Sequence, residues 1–129
     1  MFLCVWICRQ ILRIFAHLIT MTETTETPAW HNLNVAQFKA KMETAQTVVL
    51  DVRTAAETAE YRIPGALTNL DFYNGEFESR FPEMDKDNTY LIYCRSGVRS
   101  AHACELMAAA GFKSLYNLRG GILAWMAEG

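Results

Sequence analysis

The sequence has no surplus of positive charge, no CxxC pair and no long hydrophobic run that is free of charge. Its formal net charge of −2 excludes the polybasic surface that is typical of nucleic-acid binding. The four cysteines, Cys4, Cys8, Cys94 and Cys104, lack the spacing of a disulfide framework or a zinc site. We therefore expect reduced cysteines, no bound metal and a cytoplasmic location. With 129 residues, 51% of them hydrophobic, the chain is long enough for one core and too short for two domains.

Residues 1–20 are strongly apolar, but Arg9, Arg13 and His17 interrupt them at four-residue spacing. A membrane-spanning helix needs about 20 mostly apolar residues, and arginines near its centre would cost several kcal/mol. A secretory signal would carry its positive charge before the apolar run and would end in small residues, which this segment does not. Two interpretations remain open. The segment is either an amphipathic interfacial helix or an upstream extension of a reading frame that starts at Met21, and we favour the second.

The domain organisation follows from the polar stretch after this segment. Met21 to Pro28 has the composition of a linker. We predict an N-terminal extension over residues 1–20, a linker over 21–32 and one folded domain over 33–129. Membrane contact or export is expected only if residues 1–20 belong to the natural protein and form a helix.

The stretch from residue 90 to residue 100 carries the clearest chemical signal. Residues 90–93 are aromatic or branched and predict a buried strand that ends at Cys94. Ser100 is predicted as the N-cap of the helix that follows, and Gly111 lies at its C-cap position. The pattern thus places Cys94 between a strand and the start of a helix.

This position favours an anionic sulfur. A loop that runs into a helix N-terminus points backbone N–H groups inward, and the helix dipole adds partial positive charge. Arg95 and Arg99 add two permanent positive charges beside the sulfur. We therefore expect Cys94 to be largely thiolate at neutral pH. Cys104 falls on the apolar stripe of the helix and is predicted to be a core residue.

Strand and helix signals alternate along the chain, which predicts an α/β fold with a central, mostly parallel sheet. Residues 47–52 form a continuous branched run and predict a central strand. Further elements are predicted as a helix after Asn34, a helix opened by the capping box Thr54–Glu57, a short helix or loop over 72–81, strands over 66–70 and 114–118, and a final helical turn from Ile122.

Asp51 is a carboxylate near the end of an apolar strand, and it must find partners there. Arg53, two residues further on, is one candidate. Because sites in parallel sheets lie beyond the carboxyl ends of the strands, we expect Asp51 and Arg53 within reach of the Cys94 loop.

Five sequence motifs, in this order and spacing, resemble the rhodanese family of sulfurtransferases, single-domain type. The resemblance covers about residues 33 to 127 and implies a five-stranded parallel sheet flanked by helices. The chain departs from the family at Tyr61-Arg62, where Gly-His is usual, and at Thr58, where an aromatic residue is usual. The motifs are Asp51-Val52-Arg53, Ile63-Pro64-Gly65-Ala66, Cys94-Arg95-Ser96-Gly97-Val98-Arg99-Ser100, Ala110-Gly111-Phe112, and Asn117-Leu118-Arg119-Gly120-Gly121-Ile122 with Trp125.

The resemblance implies that Cys94 is the catalytic residue and carries sulfur as a persulfide, without a metal or organic cofactor. Its thiolate would attack the outer sulfur of thiosulfate or a persulfide, and a thiol, cyanide or an acceptor protein would then take the sulfur. Arg95 and Arg99 would bind the anionic end of the donor. Asp51 and Arg53 would support the site. The residues expected to contact the donor are Arg95, Ser96, Gly97, Val98, Arg99 and Ser100.

Three alternatives remain. A phosphatase or arsenate reductase would separate its cysteine and arginine by five residues, whereas four lie between Cys94 and Arg99. A non-catalytic protein-binding module would have the fold without turnover, although such modules usually lose the cysteine. A dedicated persulfide carrier would pass sulfur to one protein and ignore free thiosulfate.

Overall fold

The computed structural model describes residues 29–128, which fold into a five-stranded parallel sheet with helices on both faces. The predicted α/β fold with a central parallel sheet is confirmed. The strands are β1 (His31–Leu33), β2 (Thr47–Asp51), β3 (Thr68–Asn69), β4 (Thr89–Tyr93) and β5 (Ser114–Leu118). The helices are α1 (Val35–Met42), α2 (Ala55–Glu60), α3 (Glu76–Arg80), α4 (Val98–Ala109) and α5 (Gly121–Glu128), with a short 3₁₀ helix at Phe81–Glu83.

The strand order is β1-β5-β4-β2-β3, so β4 lies at the centre of the sheet. The residues of β4 alternate between two cores, as those of a strand covered on both faces must. Tyr90 and Ile92 pack on one face with the buried side of α4. Leu91 and Tyr93 pack on the other with α1 and α5. Cys94 follows directly and lies at the carboxyl edge of the sheet.

β1 is a strand that the sequence did not predict. It pairs with β5, and His31 lies opposite Tyr116. Its residues are mostly exposed and show no branched or alternating pattern, which explains the miss. The strand begins inside the segment 21–32 that is predicted as a linker. The expectations for residues 1–20 lie outside the described residues.

The helix after the cysteine loop begins earlier than predicted. Gly97, not Ser100, is the N-cap of α4, and its φ of +100° lies in the left-handed region. Glycine adopts this conformation without steric cost, so the chain turns into the helix three residues before the serine. Ser100 is fully buried inside the first turn. The predicted cap at Ser100 is therefore wrong.

The other predicted helix ends agree with the structure. Asn34 caps α1, and Thr54 with Glu57 forms the capping box of α2. Gly111 follows Ala110, the C-cap of α4, with a φ of +98°, and Phe112 N–H donates to the Met107 carbonyl, as in a Schellman motif.

Two elements differ in length from the prediction, and the structure decides the conformation of a third segment. The strand predicted over 66–70 shrinks to β3, which pairs only with Leu50 and Asp51 at the end of β2. The final helix, α5, runs for eight residues instead of one turn. The segment 72–81 contains the short helix α3. Among residues 29–128, no helix has the length and hydrophobicity needed to cross a bilayer.

Candidate active site

Cys94 is the first residue of the loop between β4 and α4, and only 1% of its surface is exposed. Its Sγ accepts a hydrogen bond from the Gly97 N–H at 3.1 Å and another from the Ser100 hydroxyl at 3.3 Å. The loop therefore wraps back onto the sulfur, and both donors point their protons at it. Donors converging on one buried sulfur are the arrangement that an anionic thiolate or persulfide requires.

The first residues of α5 bind the backbone of the cysteine loop. Ile122 N–H donates to the Cys94 carbonyl at 2.9 Å, and Leu123 N–H donates to the Arg95 carbonyl at 3.2 Å. These bonds use two N–H groups that a helix N-terminus leaves unpaired. The approach is so close that a Cβ atom at Gly121 would lie 2.6 Å from the Cys94 carbonyl oxygen. A glycine at position 121 is therefore a steric requirement of this contact.

Asn117 is a site residue that the sequence analysis did not single out. Its amide Nδ2 donates to the Gly97 carbonyl at 3.2 Å and to Asn32 Oδ1 at 2.9 Å. The side chain is 3% exposed, and its Oδ1 has no hydrogen-bond partner among the described residues. A polar residue inside the apolar strand β5 was the available signal, as it was for Asp51 in β2. Asn117 ties the turn of the cysteine loop to the sheet.

Arg99 forms an ion pair with a carboxylate, that of Glu57. Its Nη1 and Nη2 donate to Glu57 Oε1 and Oε2 at 2.8 and 3.0 Å, and its guanidinium lies 4.9 Å from the centre of the Tyr73 ring. These hydrogen bonds lower the pKa of Glu57 from 4.5 to about 2. They also raise the pKa of Arg99, and the nearby Cys94 adds to that rise. The arginine predicted to bind the donor is thus already paired.

Glu57 was predicted only as part of the capping box of α2. Its Oε1 does accept from the Thr54 N–H at 3.3 Å, but the same carboxylate reaches the cysteine loop through Arg99. The two partners lie 42 residues apart in the chain. Because no local pattern links such distant residues, the second role of Glu57 emerges only from the fold.

Arg95 is exposed and lines a cleft of about 290 Å³ beside the loop. The cleft mixes two arginines and two glutamates with apolar side chains. The cleft residues are Arg53, Glu57, Glu60, Tyr61, Arg95, Ile122, Leu123 and Met126. Ser96 and Val98 are also exposed but line a different cleft, together with Asn117.

Asp51 and Arg53 form a buried ion pair, with Arg53 Nη2 2.7 Å from Asp51 Oδ2. The same Oδ2 accepts from the Tyr93 hydroxyl at 2.9 Å and from the Thr58 hydroxyl at 3.0 Å. Burial, followed by the charge of Asp51, raises the pKa of Tyr93. Arg53 also donates to the Tyr61 carbonyl at 2.7 Å. The predicted pairing of Asp51 with Arg53 is therefore present, and it anchors the end of β2 to α2.

The second described cysteine is a core residue, and no metal-binding cluster accompanies the site within the described residues. Cys104 is fully buried, and burial raises the pKa of its thiol to about 12, as the prediction of a core residue requires. No cluster of three side chains suited to metal binding occurs within the described part of the chain.

A parallel α/β sheet that presents one buried, hydrogen-bonded cysteine sulfur at the start of a helix defines a class of cysteine-loop domains built to hold an anion. Comparison with known proteins identifies the family. The sequence profile of the Rhodanese-like domain family matches residues 34–128. The chain therefore belongs to the rhodanese-like domain family.

Individual relatives agree with this assignment. A sulfurtransferase of Allochromatium vinosum is 41% identical over 87 residues, which cover 67% of this chain and 78% of that protein. The putative sulfurtransferase YtwF of Bacillus subtilis is 36% identical over 97 residues, covering 74% of this chain and 90% of the other. A rhodanese-related protein from Thermoplasma volcanium has a TM-score of 0.67 at 27% identity, covering 77% of this chain and 93% of that structure.

Proposed function

We propose that this protein is a sulfurtransferase that carries a sulfane sulfur as a persulfide on Cys94. The observation that carries the proposal is the pair of hydrogen bonds from Gly97 and Ser100 to the buried sulfur. A cysteine that served only as core would need neither donor. Family membership and the sulfurtransferases among its relatives support sulfur transfer in general.

In the first half-reaction, the Cys94 thiolate attacks the outer sulfur of the donor. A new S–S bond forms to Cys94 and the S–S bond of thiosulfate breaks, so that sulfite leaves with the electron pair. In the second half-reaction, an acceptor nucleophile attacks the terminal sulfur and restores the thiolate. Cyanide becomes thiocyanate, and a thiol becomes a persulfide. Neither half-reaction needs a cofactor.

The loop supplies the electrostatic stabilisation for both half-reactions. The N–H groups of Val98, Arg99 and Ser100 open α4 and have no carbonyl of their own helix to bond. Together with the helix dipole they favour negative charge beyond Cys94, where the terminal sulfur of a persulfide would lie. Arg95 lies on the exposed side of the loop, in the cleft where a donor would approach.

Intact-protein mass spectrometry of the full chain tests the proposal. We expect a gain of about 32 Da after thiosulfate or a low-molecular-weight persulfide, removed by cyanide as thiocyanate. Cys94→Ser should abolish the gain, because a hydroxyl is far less nucleophilic than a thiolate at neutral pH. Cys104→Ala is the matched control and should retain it. A gain that survives in Cys94→Ser, or no gain with any donor, would contradict the proposal.

The same experiment separates two forms of the proposal. A gain with a persulfide-loaded protein alone would identify a dedicated carrier that ignores free donors. A gain with small donors would identify a broader enzyme. Phosphate-ester hydrolysis is not expected, since the arginine that would hold a phosphoryl group is paired with Glu57.

A further inference from the structure

Glu57 and Arg99 form an ion pair beside the cysteine loop, and Glu57 has no part in sulfur chemistry as such. Both carboxylate oxygens of Glu57 accept hydrogen bonds from Arg99. The side chain of Arg99 is only 13% exposed, and the ring of Tyr73 covers one side of its guanidinium. Arg99 is therefore held in place by Glu57 and Tyr73, five residues after Cys94 in the chain.

The remaining charges of the cleft do not restore a positive field. Arg53 is neutralised by Asp51 within its own buried pair. Glu60 lies in the same cleft as Arg95, so these two exposed groups offset each other. A donor that enters the cleft thus approaches the cysteine loop without a net positive charge to attract it.

The lack of a net positive charge in the cleft disfavours a doubly charged donor more than a singly charged one. Coulomb repulsion from the thiolate is about twice as large for a dianion as for a monoanion of the same shape. A dianion such as thiosulfate must also compete with Glu57 for Arg99. We propose that Glu57 is a specificity-determining residue that biases the site toward sulfur donors with a single negative charge and against the thiosulfate dianion. The inference rests on the proposed sulfurtransferase function.

A matched pair of donors tests this selectivity. Methanethiosulfonate has the shape of thiosulfate with one charged oxygen replaced by a methyl group. Attack by Cys94 on its outer sulfur gives the same persulfide and releases methanesulfinate, so charge and atoms balance as they do with sulfite. In a double-displacement reaction, kcat/KM for the donor reports the first half-reaction alone. The quantity to compare between variants is the kcat/KM for thiosulfate divided by that for methanethiosulfonate.

Glu57→Gln is the informative variant. Glutamine still accepts the Thr54 N–H in a capping box, so α2 keeps its first turn. Loss of the charge releases Arg99 for the donor, and we expect the ratio to rise roughly tenfold, the value of one charge-assisted hydrogen bond. The rise should appear mainly as a lower KM for thiosulfate, since the sulfonate end is bound in both ground and transition states. Glu57→Ala, which leaves no amide oxygen for Arg99, provides a second variant with the same expected direction.

Glu60→Gln is the control. It removes the same charge from the same cleft, and Glu60 makes no ion pair within the described residues. The ratio should change less than about twofold, because Glu60 and Arg95 are both exposed and solvent screens their charges, whereas Glu57 binds Arg99 directly. An unchanged ratio in both Glu57 variants, or an equal rise in Glu60→Gln, would overturn the inference. Absence of persulfide with either donor in the unaltered protein would instead contradict the proposed function.

Discussion

Gly121 lies directly beneath Arg95, and a Cβ atom at Gly121 would overlap the Arg95 carbonyl group. Its φ is +61°, in the left-handed region. The contact exists because Leu123 N–H reaches the same carbonyl at 3.2 Å. The second glycine of the Gly-Gly pair therefore sets how closely α5 approaches the cysteine loop, and with it the position of the sulfur.

Replacing Gly121 with alanine should displace the loop. We expect Gly121→Ala to lower the free energy of unfolding by about 3 kcal/mol, because steric overlap adds to the left-handed strain. Persulfide formation should fall with it. Gly75→Ala is the matched control, since Gly75 has a φ of +85° but no atom within 4 Å of an added Cβ. It should cost only about 1 kcal/mol and leave sulfur transfer unchanged. Equal losses in the two variants, measured by urea unfolding, would show that the close approach is unimportant.

Ser100 offers a second test, because its predicted and observed roles lead to different outcomes. As a donor to the Cys94 sulfur at 3.3 Å, it should matter for chemistry more than for stability. We expect Ser100→Ala to slow persulfide formation roughly tenfold while changing the free energy of unfolding by less than about 1 kcal/mol. Stopped-flow or quenched-flow mass spectrometry measures the rate. Ser79→Ala, in α3 and away from the loop, controls for serine removal. A stability loss without a slower reaction would contradict a role in the chemistry and would leave the Ser100 hydroxyl a purely structural part of the loop.

The strand-loop-helix unit around Cys94 could be predicted from the sequence because its signals are local. Residues 90–93 are apolar throughout, as a strand buried on both faces requires, and the stripe of α4 has helical spacing. The exact start of α4 was missed because Gly97 and Ser100 are both acceptable caps in isolation. In the structure the Gly97 backbone makes the turn, and the Ser100 hydroxyl donates to the Cys94 sulfur instead of capping the helix.

Contacts between segments that lie far apart in the chain could not be predicted from the sequence. The pairing of Asp51 with Arg53 could be expected, since the residues are neighbours and a buried carboxylate needs a partner. The pairing of Glu57 with Arg99 could not, because it requires α2 and the cysteine loop to meet at the edge of the sheet. The edge strand β1 was invisible for a related reason. It owes its conformation to pairing with β5 and not to its own residues.

The ion pair of Glu57 should make stability depend on pH in acid. The folded-state pKa of Glu57 is about 2, against an ordinary value of 4.5. The unfolded chain therefore binds the proton first, and the contribution of Glu57 is complete above about pH 4.5 and is lost as the pH falls toward 2. We expect Glu57→Gln to be less stable than the unaltered protein by about 1 to 2 kcal/mol near neutral pH, allowing for partial exposure. The difference should vanish near pH 2. Urea unfolding across this range measures it, and a difference independent of pH would assign the loss to packing.

Thr58 stands where the family usually has an aromatic residue, and its hydroxyl donates to Asp51 at 3.0 Å. The substitution thus exchanges an apolar contact for a further donor to a buried carboxylate. We expect Thr58→Val, which keeps the shape and removes the donor, to cost about 1 kcal/mol of unfolding free energy.

Tyr93→Phe should cost more, about 2 kcal/mol, because it also leaves the Ile63 N–H without its acceptor.

The matched control for this exchange is Thr68→Val in β3, whose hydroxyl makes no side-chain hydrogen bond within residues 29–128. Valine suits a strand, so this variant should be at least as stable as the unaltered protein. Sulfur transfer should stay the same in Thr58→Val, since the Thr58 hydroxyl donates to Asp51 and makes no hydrogen bond to the cysteine loop within the described residues. If Thr58→Val and Thr68→Val unfold at the same urea concentration as the unaltered protein, then Arg53 and Tyr93 alone satisfy Asp51, and the departure at Thr58 carries no energetic consequence.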